Sequence, residues 1–597
     1  MTKENENKKT DVHCESTNCP IQCDWNPVNC QLACENNDKS PCRKLMKSNN
    51  TCLRCNVTPI ENGPVYHNPT PGMIPILAIP FTNNIHYIAD ENDFQTLKDA
   101  GFNLSSAYLV HITTPFDCIA LQTAIGKVRL FLSYAWIGAG QTLEEQVNRT
   151  NSYIKDLAKV PGNAFAGVTM CDEPTLKMLT CCRHDSLLNR YKRVQELFNQ
   201  YNMPGGLQRI NLLPVQAFDS VEDFKQYLDT FEYYFKPALI TYDCYPVMKH
   251  EPLFNLSRFA RKYPGAKHSE YLQNHEYFYR NLELFSAHSR ATGKPFWAYV
   301  MSNSHLTGEN GFYPTSLENH LRFEAFSALA YGAKGLGYWR YLQDGDYGGT
   351  VFFHAPLNHD ESRNAIWYYA RRVNREIERY KDVFLETSVQ KVCHTNISAM
   401  EDLQARCRGI KENTGGYFPM MPIRIENDPD NLDQNGKPKK IYDTHWGLTS
   451  LSSSSMPVIS SITSDGLGVL VSHLKKLPDF TSPGYSPLSG LNAEDEVNPD
   501  STNMANAGGI ADNQDINYLV IVNHDIVRPQ TVTISFKGSK TLEELTPLKS
   551  GEQPPTDKIR TAQTPSIVRN LPAGGYLIFR WSAPFSVNPV LPGDILS

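Results

Sequence analysis

At 597 residues with a formal net charge of −6, the chain is too long for one ordinary domain and lacks the basic surface of a nucleic-acid-binding protein. It contains no zinc-finger or nucleotide-binding motif, and no run approaches the roughly 18 consecutive apolar residues of a transmembrane segment. Its 30 Tyr, 27 Phe and 7 Trp on a weakly charged background suit polar, uncharged ligands such as sugars.

Residues 1–70 make up a cysteine-rich segment with few apolar side chains. A dense, even set of cysteines in such a segment indicates a disulfide-bonded module, because its apolar core is too small to hold it together. Zinc binding is the alternative, but only Cys52 and Cys55 have a short ligand spacing and no second such pair completes a site. The disulfide candidates are Cys14, Cys19, Cys23, Cys30, Cys34, Cys42, Cys52 and Cys55.

The first nine residues are hydrophilic and do not resemble a signal peptide. We expect an extracellular, cell-surface or periplasmic glycoprotein from which a leader has been removed, because disulfides require an oxidising compartment. An intracellular chain with reduced thiols is the alternative. Asn-x-Ser/Thr sequons add some support for export, and they begin at Asn56, Asn103, Asn148, Asn255 and Asn396.

Between residues 71 and 385, short apolar runs alternate with amphipathic segments whose apolar residues recur at helical spacing. Eight such strands alternating with helices predict an α/β fold of the TIM or (β/α)8 barrel type. An open, doubly wound sheet is the main alternative, although its glycine-rich phosphate-binding turn is missing after the first strand. The predicted strands are 74–81, 102–110, 128–136, 164–170, 208–215, 238–243, 295–301 and 334–341, and the predicted helices are 91–100, 143–157, 187–201, 221–235, 271–292, 317–332 and 365–380.

Residues 386–597 differ in character from the preceding segment. Short β-type runs alternate with stretches rich in Asn, Asp, Ser, Pro and Gly, which predicts an antiparallel β-sandwich with long loops. The predicted strands are 468–472, 518–523, 530–536 and 575–581, and the predicted loops are 410–455 and 476–515.

Carboxylates stand at two of the predicted strand ends. The fourth strand ends in Asp172-Glu173-Pro174 and the sixth in Tyr242-Asp243. Catalysis in such barrels occurs at the C-terminal strand ends, and carboxylates among Trp and Tyr are typical of sites that cleave and stack on sugars. Helix capping by Glu173 and core packing of the aromatic residues are the alternatives. The predicted substrate contacts are Asp172, Tyr134, Trp136, Tyr242, Tyr245, Trp297, Asn303, His305, Trp339 and Tyr341.

The predicted barrel resembles the β-galactosidase-like glycoside hydrolases of the large (β/α)8 clan. In these enzymes the acid/base Glu follows the fourth strand, often as Asn-Glu-Pro, which the resemblance aligns with Asp172-Glu173-Pro174. The run 323–339 is similar to their passage from the seventh helix to the eighth strand, and they also carry C-terminal β modules. The resemblance implies that Glu173 is the general acid/base.

The chain departs from this family at the seventh strand, where the nucleophilic Glu is replaced by 299–303 without a carboxylate. We expect Asp243 to be the partner carboxylate. A second interpretation is substrate assistance by an acetamido group, since Asp172 with Glu173, Tyr242 with Asp243, and Trp339 are similar to chitinase-like sites. A third interpretation is that Glu309, in the loop after the seventh strand, enters the site.

The sequence thus predicts a glycosidase that cleaves an oligo- or polysaccharide without a metal or other cofactor. Carbohydrate is the expected partner, and neither nucleic acid nor a transmembrane segment is expected. A non-catalytic carbohydrate-binding or structural surface protein on the same barrel is the alternative, which the missing strand-seven carboxylate favours.

Overall fold

The computed structural model describes most of the predicted barrel and much of the C-terminal region. The predicted cysteine-rich module lies outside the described residues, apart from its last part from residue 59. The described residues are 59–80, 91–107, 128–133, 165–180, 186–203, 205–218, 220–249, 271–273, 275–307, 311–313, 316–343, 346–347, 350–358, 360–400, 448–477, 514–546 and 558–584.

Eight parallel strands form a closed barrel. Each strand pairs with its neighbours in chain order, and the first pairs with the eighth, so the sheet has no edge. The predicted (β/α)8 barrel is therefore confirmed, and the doubly wound alternative is wrong. The strands are β1 Ile76–Ala78, β2 Leu104–Ala107, β3 Arg129–Ser133, β4 Phe165–Asp172, β5 Leu207–Leu212, β6 Ile240–Tyr242, β7 Phe296–Met301 and β8 Gly335–Trp339.

Helices surround the barrel at most of the predicted positions. The helix predicted at 143–157 lies outside the described residues, and the one predicted from residue 271 begins later because Tyr271–Gln273 pairs as a strand with Val247–Lys249. Side-chain caps fix two helix starts, since Ser186 accepts from the Asn189 amide and Ser220 from the Asp223 amide. The helices are α1 Glu91–Asp99, α2 Leu176–Leu179, α3 Leu187–Gln200, α4 Val221–Phe235, α5 His275–Thr292, α6 Glu318–Ala330, α7 Ala365–Arg379 and α8 Lys381–Leu385.

The barrel interior is filled with side chains and is apolar at its lower end, where the strands begin. Leu77, Phe131, Leu239 and Trp297 belong to one buried cluster there, and Trp297 is fully buried. A β-carbon at Gly335 would lie 2.6 Å from the Trp297 ring, so glycine on β8 makes room for the indole on β7. Trp297 is thus a core residue, and its predicted contact with substrate is not supported.

A small antiparallel sheet covers the end of β7. Its strands are Ser304–Thr307, Gly311–Tyr313, Asp346–Tyr347 and Thr350–His354. The sequence did not predict this sheet, since its strands have too few residues for alternation to be visible.

The C-terminal region consists mainly of two antiparallel sheets, which confirms that it is rich in β structure. Their inner faces share a hydrophobic core. In space the order is β9-β11-β12-β17-β14-β15 in the large sheet and β10-β13-β16 in the small one. The domain boundaries predicted at 70 and 385 stay predictions. The strands are β9 Thr387–His394, β10 Ile459–Ser464, β11 Val469–Lys476, β12 Gln514–Asn523, β13 Gln530–Phe536, β14 Thr541–Glu544, β15 Ile559–Arg560, β16 Ser566–Leu571 and β17 Tyr576–Pro584.

The large sheet is buried on both faces where it meets the barrel. Val471 faces the small sheet, whereas its neighbours Leu470 and Ser472 face the barrel. The Ser472 hydroxyl donates to the carbonyl oxygen of Ala330 at the end of α6, 2.6 Å away. Alternation along β11 therefore ties the two sheets and the barrel into one packed unit.

A chain of hydrogen bonds, here called the histidine chain, crosses this junction. The Tyr331 hydroxyl lies 2.7 Å from His394 Nε2. Burial raises the pKa of Tyr331, and the negative charge of Glu283 on α5 adds to that rise. His394 Nδ1 lies 3.0 Å from His524 Nε2, and His524 Nδ1 lies 3.1 Å from the Leu467 carbonyl oxygen. Both imidazoles are fully buried.

In the part of the chain that the structure describes, no helix is long and apolar enough to cross a bilayer. Within the same residues, no group of three or more His, Cys, Asp or Glu side chains is arranged to hold a metal ion.

Candidate active site

The end of β4 presents Glu173 in an unusual backbone conformation. Its φ of 45° lies in the left-handed region, which few residues other than glycine adopt and which tends to occur at functional sites. Two hydrogen bonds hold this turn: the Glu173 amide donates to the Asn211 carbonyl oxygen (2.8 Å), and the buried Tyr227 hydroxyl donates to the Pro174 carbonyl oxygen (2.8 Å). These bonds fix the backbone from which the Glu173 side chain projects at the rim of the barrel.

Asn211, at the end of β5, connects the two aspartates of neighbouring strand ends. Its Nδ2 donates to Asp172 Oδ1 (2.9 Å) and to Asp243 Oδ1 (2.8 Å). Since both oxygens bond to one nitrogen, they lie about 5 Å apart. The parallel order β4-β5-β6 brings these three polar residues to one place at the barrel mouth.

The Glu173 carboxyl is suited to carrying a proton near neutral pH. Although the residue remains accessible to solvent, the protein around its carboxyl and the negative charge of Asp172 raise the pKa of Glu173 to about 7. Among the described residues, no side chain donates a hydrogen bond to this carboxyl. Nothing described therefore favours its ionised form.

The pKa of Asp243 is subject to opposing effects. Burial and the charges of Glu173 and Asp172 raise its pKa well above the usual range, whereas hydrogen bonds from Asn211 and Tyr245 lower it. The Glu173 contribution vanishes when Glu173 is protonated. A proton on Glu173 thus removes one of the charges that oppose ionisation of Asp243, while burial continues to raise its pKa.

A polar layer inside the barrel supports the rim. Arg209, two residues before Asn211 on β5, donates from Nη1 to the Tyr299 hydroxyl (2.7 Å) and from Nη2 to the Thr169 hydroxyl (2.8 Å). Its guanidinium also lies over the Phe131 ring, 5.4 Å from the centroid. This buried cation lies below the carboxylates and adds positive charge beneath them.

The end of β7, where the resemblance implies a nucleophile, is occupied by an aromatic wall. Tyr313 stacks on His305 with ring centroids 4.4 Å apart, His305 packs against Phe352, and Phe352 contacts Trp339 edge-on at 6.3 Å. At its other end Tyr313 meets Tyr245. Burial and the nearby Arg340 charge lower the pKa of His305 to about 3, so this imidazole is neutral at physiological pH.

A buried carboxyl, Glu324 on α6, lies behind this strand end. Its Oε2 accepts from the Met301 amide at 2.8 Å, and the residue is almost fully buried. Burial raises the pKa of Glu324 well above its usual range, so it is held as a neutral acid. Glu324 supports the β7 end and does not face the open mouth.

The predicted site residues divide into three groups. Five lie at the strand ends that form the barrel mouth, where Asp172 and Glu173 are exposed and Asp243, Tyr245 and Trp339 are half-buried. Others are buried: Tyr242 stacks on Phe285 of α5 at 3.8 Å, Tyr341 packs on Phe102, and Trp297 fills the barrel. The predicted substrate contacts at Tyr242, Tyr341 and Trp297 are not supported because these rings face the core.

Two further predicted contacts are buried at the β7 end. Asn303 is fully buried and its Oδ1 lies 2.7 Å from His305 Nδ1, so this pair supports the aromatic wall in the described conformation. Tyr134, Trp136 and Glu309 lie outside the described residues, as do the eight disulfide candidates.

Sequence reasoning missed Asn211 at the mouth and several residues that support the mouth from behind. Asn211 also stands at a strand end, so the rule that predicts Glu173 and Asp243 as site residues applies to it. Its amide is uncharged, however, and an uncharged amide is not a candidate acid, base or nucleophile. Tyr299, Tyr313, Phe352 and Glu324 gave no usable signal, because their roles depend on which way a strand or helix faces.

No family model matches the chain, and no curated protein matches it. Solved structures that it matches include beta-galactosidases. The one from the psychrophilic Marinomonas ef1 is 12% identical over 52% of this chain and 60% of that chain, with a TM-score of 0.35. The one from Bacillus circulans sp. alkalophilus is 9% identical over 85% and 99%, with a TM-score of 0.44. A catalytic mutant of Gan42B, a GH42 beta-galactosidase from G. stearothermophilus, is 10% identical over 87% and 100%, with a TM-score of 0.42.

The chain thus spans about three fifths of the Marinomonas enzyme and nearly the whole length of the other two. Its structural neighbours also include the endo-1,4-beta-xylanase XylE of Penicillium canescens and Gas2p of Saccharomyces cerevisiae. At these identities and TM-scores the likeness carries no argument about the site. The barrel assignment rests on the strand pairing described above.

Proposed function

We propose that this chain is a glycoside hydrolase in which Glu173 is the general acid/base and Asp243 is the partner carboxylate. The observation that carries the proposal is the arrangement of three carboxyl groups at the mouth of a closed barrel, with Asn211 between two of them. The two-carboxylate mechanism of glycoside hydrolysis needs one carboxyl that carries a proton and one that is ionised.

The surroundings divide these two roles. Glu173 has a pKa raised to about 7 by burial and by Asp172, so it can protonate the leaving oxygen near neutral pH. Asp243 accepts a hydrogen bond from Asn211, which favours the anion needed in a base or a nucleophile and opposes the rise in its pKa that burial causes. Trp339 and Tyr245 provide accessible rings at the same mouth, suited to stacking on a sugar.

The first test is a screen of the full chain on aryl glycosides and on polysaccharides. We expect wild-type turnover on at least one substrate, and a loss of about 10²–10⁴-fold in kcat for Glu173→Gln and for Asp243→Asn. Glu196→Gln, an exposed substitution on α3, is the matched control and should leave the rate unchanged. Equal turnover by wild type and Glu173→Gln would remove Glu173 from the mechanism.

Chemical rescue distinguishes the role of Asp243. If Asp243 is the nucleophile, azide should restore turnover to an Asp243 variant with a small side chain by forming the glycosyl azide of inverted configuration. If a substrate acetamido group is the nucleophile, only N-acetylated sugars should be hydrolysed, and azide should not rescue the variant. The absence of a carboxylate from the described β7 end favours keeping this second mechanism in the test.

The same absence supports a second candidate function, carbohydrate binding without catalysis. The aromatic wall occupies the end of β7, and such rings can bind sugars without cleaving them. This candidate predicts retention of a polysaccharide with no turnover by either wild type or Glu173→Gln. In that case Trp339→Ala should abolish retention.

A further inference from the structure

The three acidic residues of the barrel mouth share one neighbour. The backbone carbonyl of Asn211 accepts from the Glu173 amide, while its side-chain nitrogen donates to Asp172 and to Asp243. Asn211 is itself buried, with 3% of its surface exposed, and it enters the mouth from β5. A single residue therefore touches every carboxyl-bearing residue of the proposed site.

The hydrogen-bond chemistry fixes the orientation of this amide. A side-chain NH₂ group only donates, so both aspartate oxygens must accept. The flipped amide would direct its oxygen at two carboxylate oxygens and would be repelled by both. The orientation seen thus follows from the charges of Asp172 and Asp243.

The donors are distributed unequally among the three carboxyl groups. Asp172 and Asp243 each accept from Asn211. The carboxyl of Glu173 accepts from no side chain of the described residues. Hydrogen bonds to a carboxylate favour its ionised form, so the donors stabilise negative charge on the aspartates.

We propose that Asn211 is a positioning residue that determines which carboxyl carries the site's proton, by committing both side-chain N–H groups to Asp172 and Asp243 and leaving Glu173 protonated. Its catalytic consequence rests on the proposed function, whereas its effect on protonation does not. The negative charges of these carboxyls raise the pKa of the titratable groups around them, which are Cys171 on β4, Tyr227 on α4, Cys244 and Tyr245 after β6, Tyr299 on β7 and Tyr313 of the small sheet. The charged Arg209 on β5 donates to the Tyr299 hydroxyl.

The protonation effect is measured without substrate. The chain is labelled with ¹³C at the side-chain carboxyls of Asp and Glu, titrated by NMR, and assigned from the signals lost in Glu173→Gln and Asp243→Asn. In Asn211→Leu, which has nearly the same shape but no donor, we expect the proton affinity of Asp243 to rise at least tenfold and that of Glu173 to fall. Gln208→Leu on the same strand removes a buried amide that donates to Gln195, and it should leave both titrations unchanged.

Asn211→Asp is the second variant, in case Asn211→Leu does not fold. It keeps the size of the side chain but places a fourth carboxyl between two others, so we expect a new group that titrates far above the usual range of Asp. Titrations of Asp243 and Glu173 that match wild type in either folded variant would overturn the proposal.

Activity separates the two proposals. If wild type hydrolyses a glycoside, Asn211→Leu should lower kcat more than KM and should shift the pH profile, whereas loss of a purely structural contact would leave the profile in place. Shifted titrations in a protein with no turnover would uphold the role of Asn211 and contradict the proposed function. Turnover with an unshifted pH profile and unshifted titrations would support the proposed function and contradict the role of Asn211.

Discussion

Two polar networks within this chain differ in the balance between hydrogen-bond donors and acceptors. At the barrel mouth, the carboxyls of Asp172, Glu173 and Asp243 offer more acceptors than Asn211 and Tyr245 supply donors. In the histidine chain, each contact can be filled. The difference separates a network that can exchange protons with a substrate from one that fixes two domains together.

The histidine chain can be filled without any ionised group. Three of its contacts run from Tyr331 through His394 and His524 to the Leu467 carbonyl, and the Tyr331 hydroxyl and two neutral imidazoles supply one hydrogen for each. Burial raises the pKa of the neighbouring Glu283 carboxyl.

The largest expected effect is the pH dependence of catalysis at the mouth. In the proposed mechanism Glu173 is an acid with a pKa of about 7, so kcat/KM should fall about tenfold per unit as pH rises above that value. The measurement is a pH profile with an alkyl or phenyl glycoside, whose leaving oxygen needs protonation. A dinitrophenyl glycoside is the control, since its leaving group needs no acid and its alkaline limb should be shallower. Identical profiles for both substrates would contradict an acid role for Glu173.

The next largest effect concerns the stability of the junction. His394→Ala removes the centre of the histidine chain and leaves buried partners unsatisfied, so the free energy of unfolding should fall by about 2–4 kcal/mol. His473→Ala is the matched control. Within the described part of the chain His473 hydrogen-bonds only to Asn517, near the Trp581 ring, so this substitution should cost about 1 kcal/mol. Denaturant unfolding measures both. Equal losses of unfolding free energy in the two variants would show that the histidine chain adds no stability beyond that of its separate contacts.

Sequence reasoning found the parts of these networks that follow from a local rule. Glu173 and Asp243 end apolar strands, and strand ends in a barrel point to one face. Trp297 was misplaced because it lies near the start of β7, so its inward ring fills the lower barrel rather than the mouth. The residues His394 and His524 are 130 positions apart and meet only when the C-terminal sheet docks on the barrel, which no local pattern reveals.

A smaller effect follows from the buried carboxyl of Glu283 beside the histidine chain. Burial gives Glu283 a folded-state pKa above its unfolded value, so the native state binds more protons and stability should fall as pH rises through the folded pKa. Arg290 opposes this rise in the pKa of Glu283, and Tyr279 packs on both imidazoles without supplying charge. Glu283→Gln does not titrate, so it should flatten the dependence of Tm on pH. A variant with the wild-type slope would show that Glu283 does not cause this dependence.

The smallest effect is the stability change caused by Glu173→Gln. Its expected sign is opposite to that of His394→Ala. A carboxyl whose pKa is raised from 4.5 to about 7 disfavours its own ionisation in the folded state, and this cost is complete above pH 7 and absent below about pH 4. Because the residue is exposed, solvent screening reduces the effect, and we expect Glu173→Gln to gain roughly 1 kcal/mol of unfolding free energy at pH 8. The gain should disappear at pH 4, where both forms are neutral, and thermal unfolding at the two pH values measures it. The glutamine variant should thus be the more stable protein and the inactive one, because surplus negative charge at the mouth destabilises the fold and serves the proposed reaction. A loss of stability at pH 8 would mean that Glu173 contributes to the fold as the histidine chain does, and the contrast between the two networks would fail.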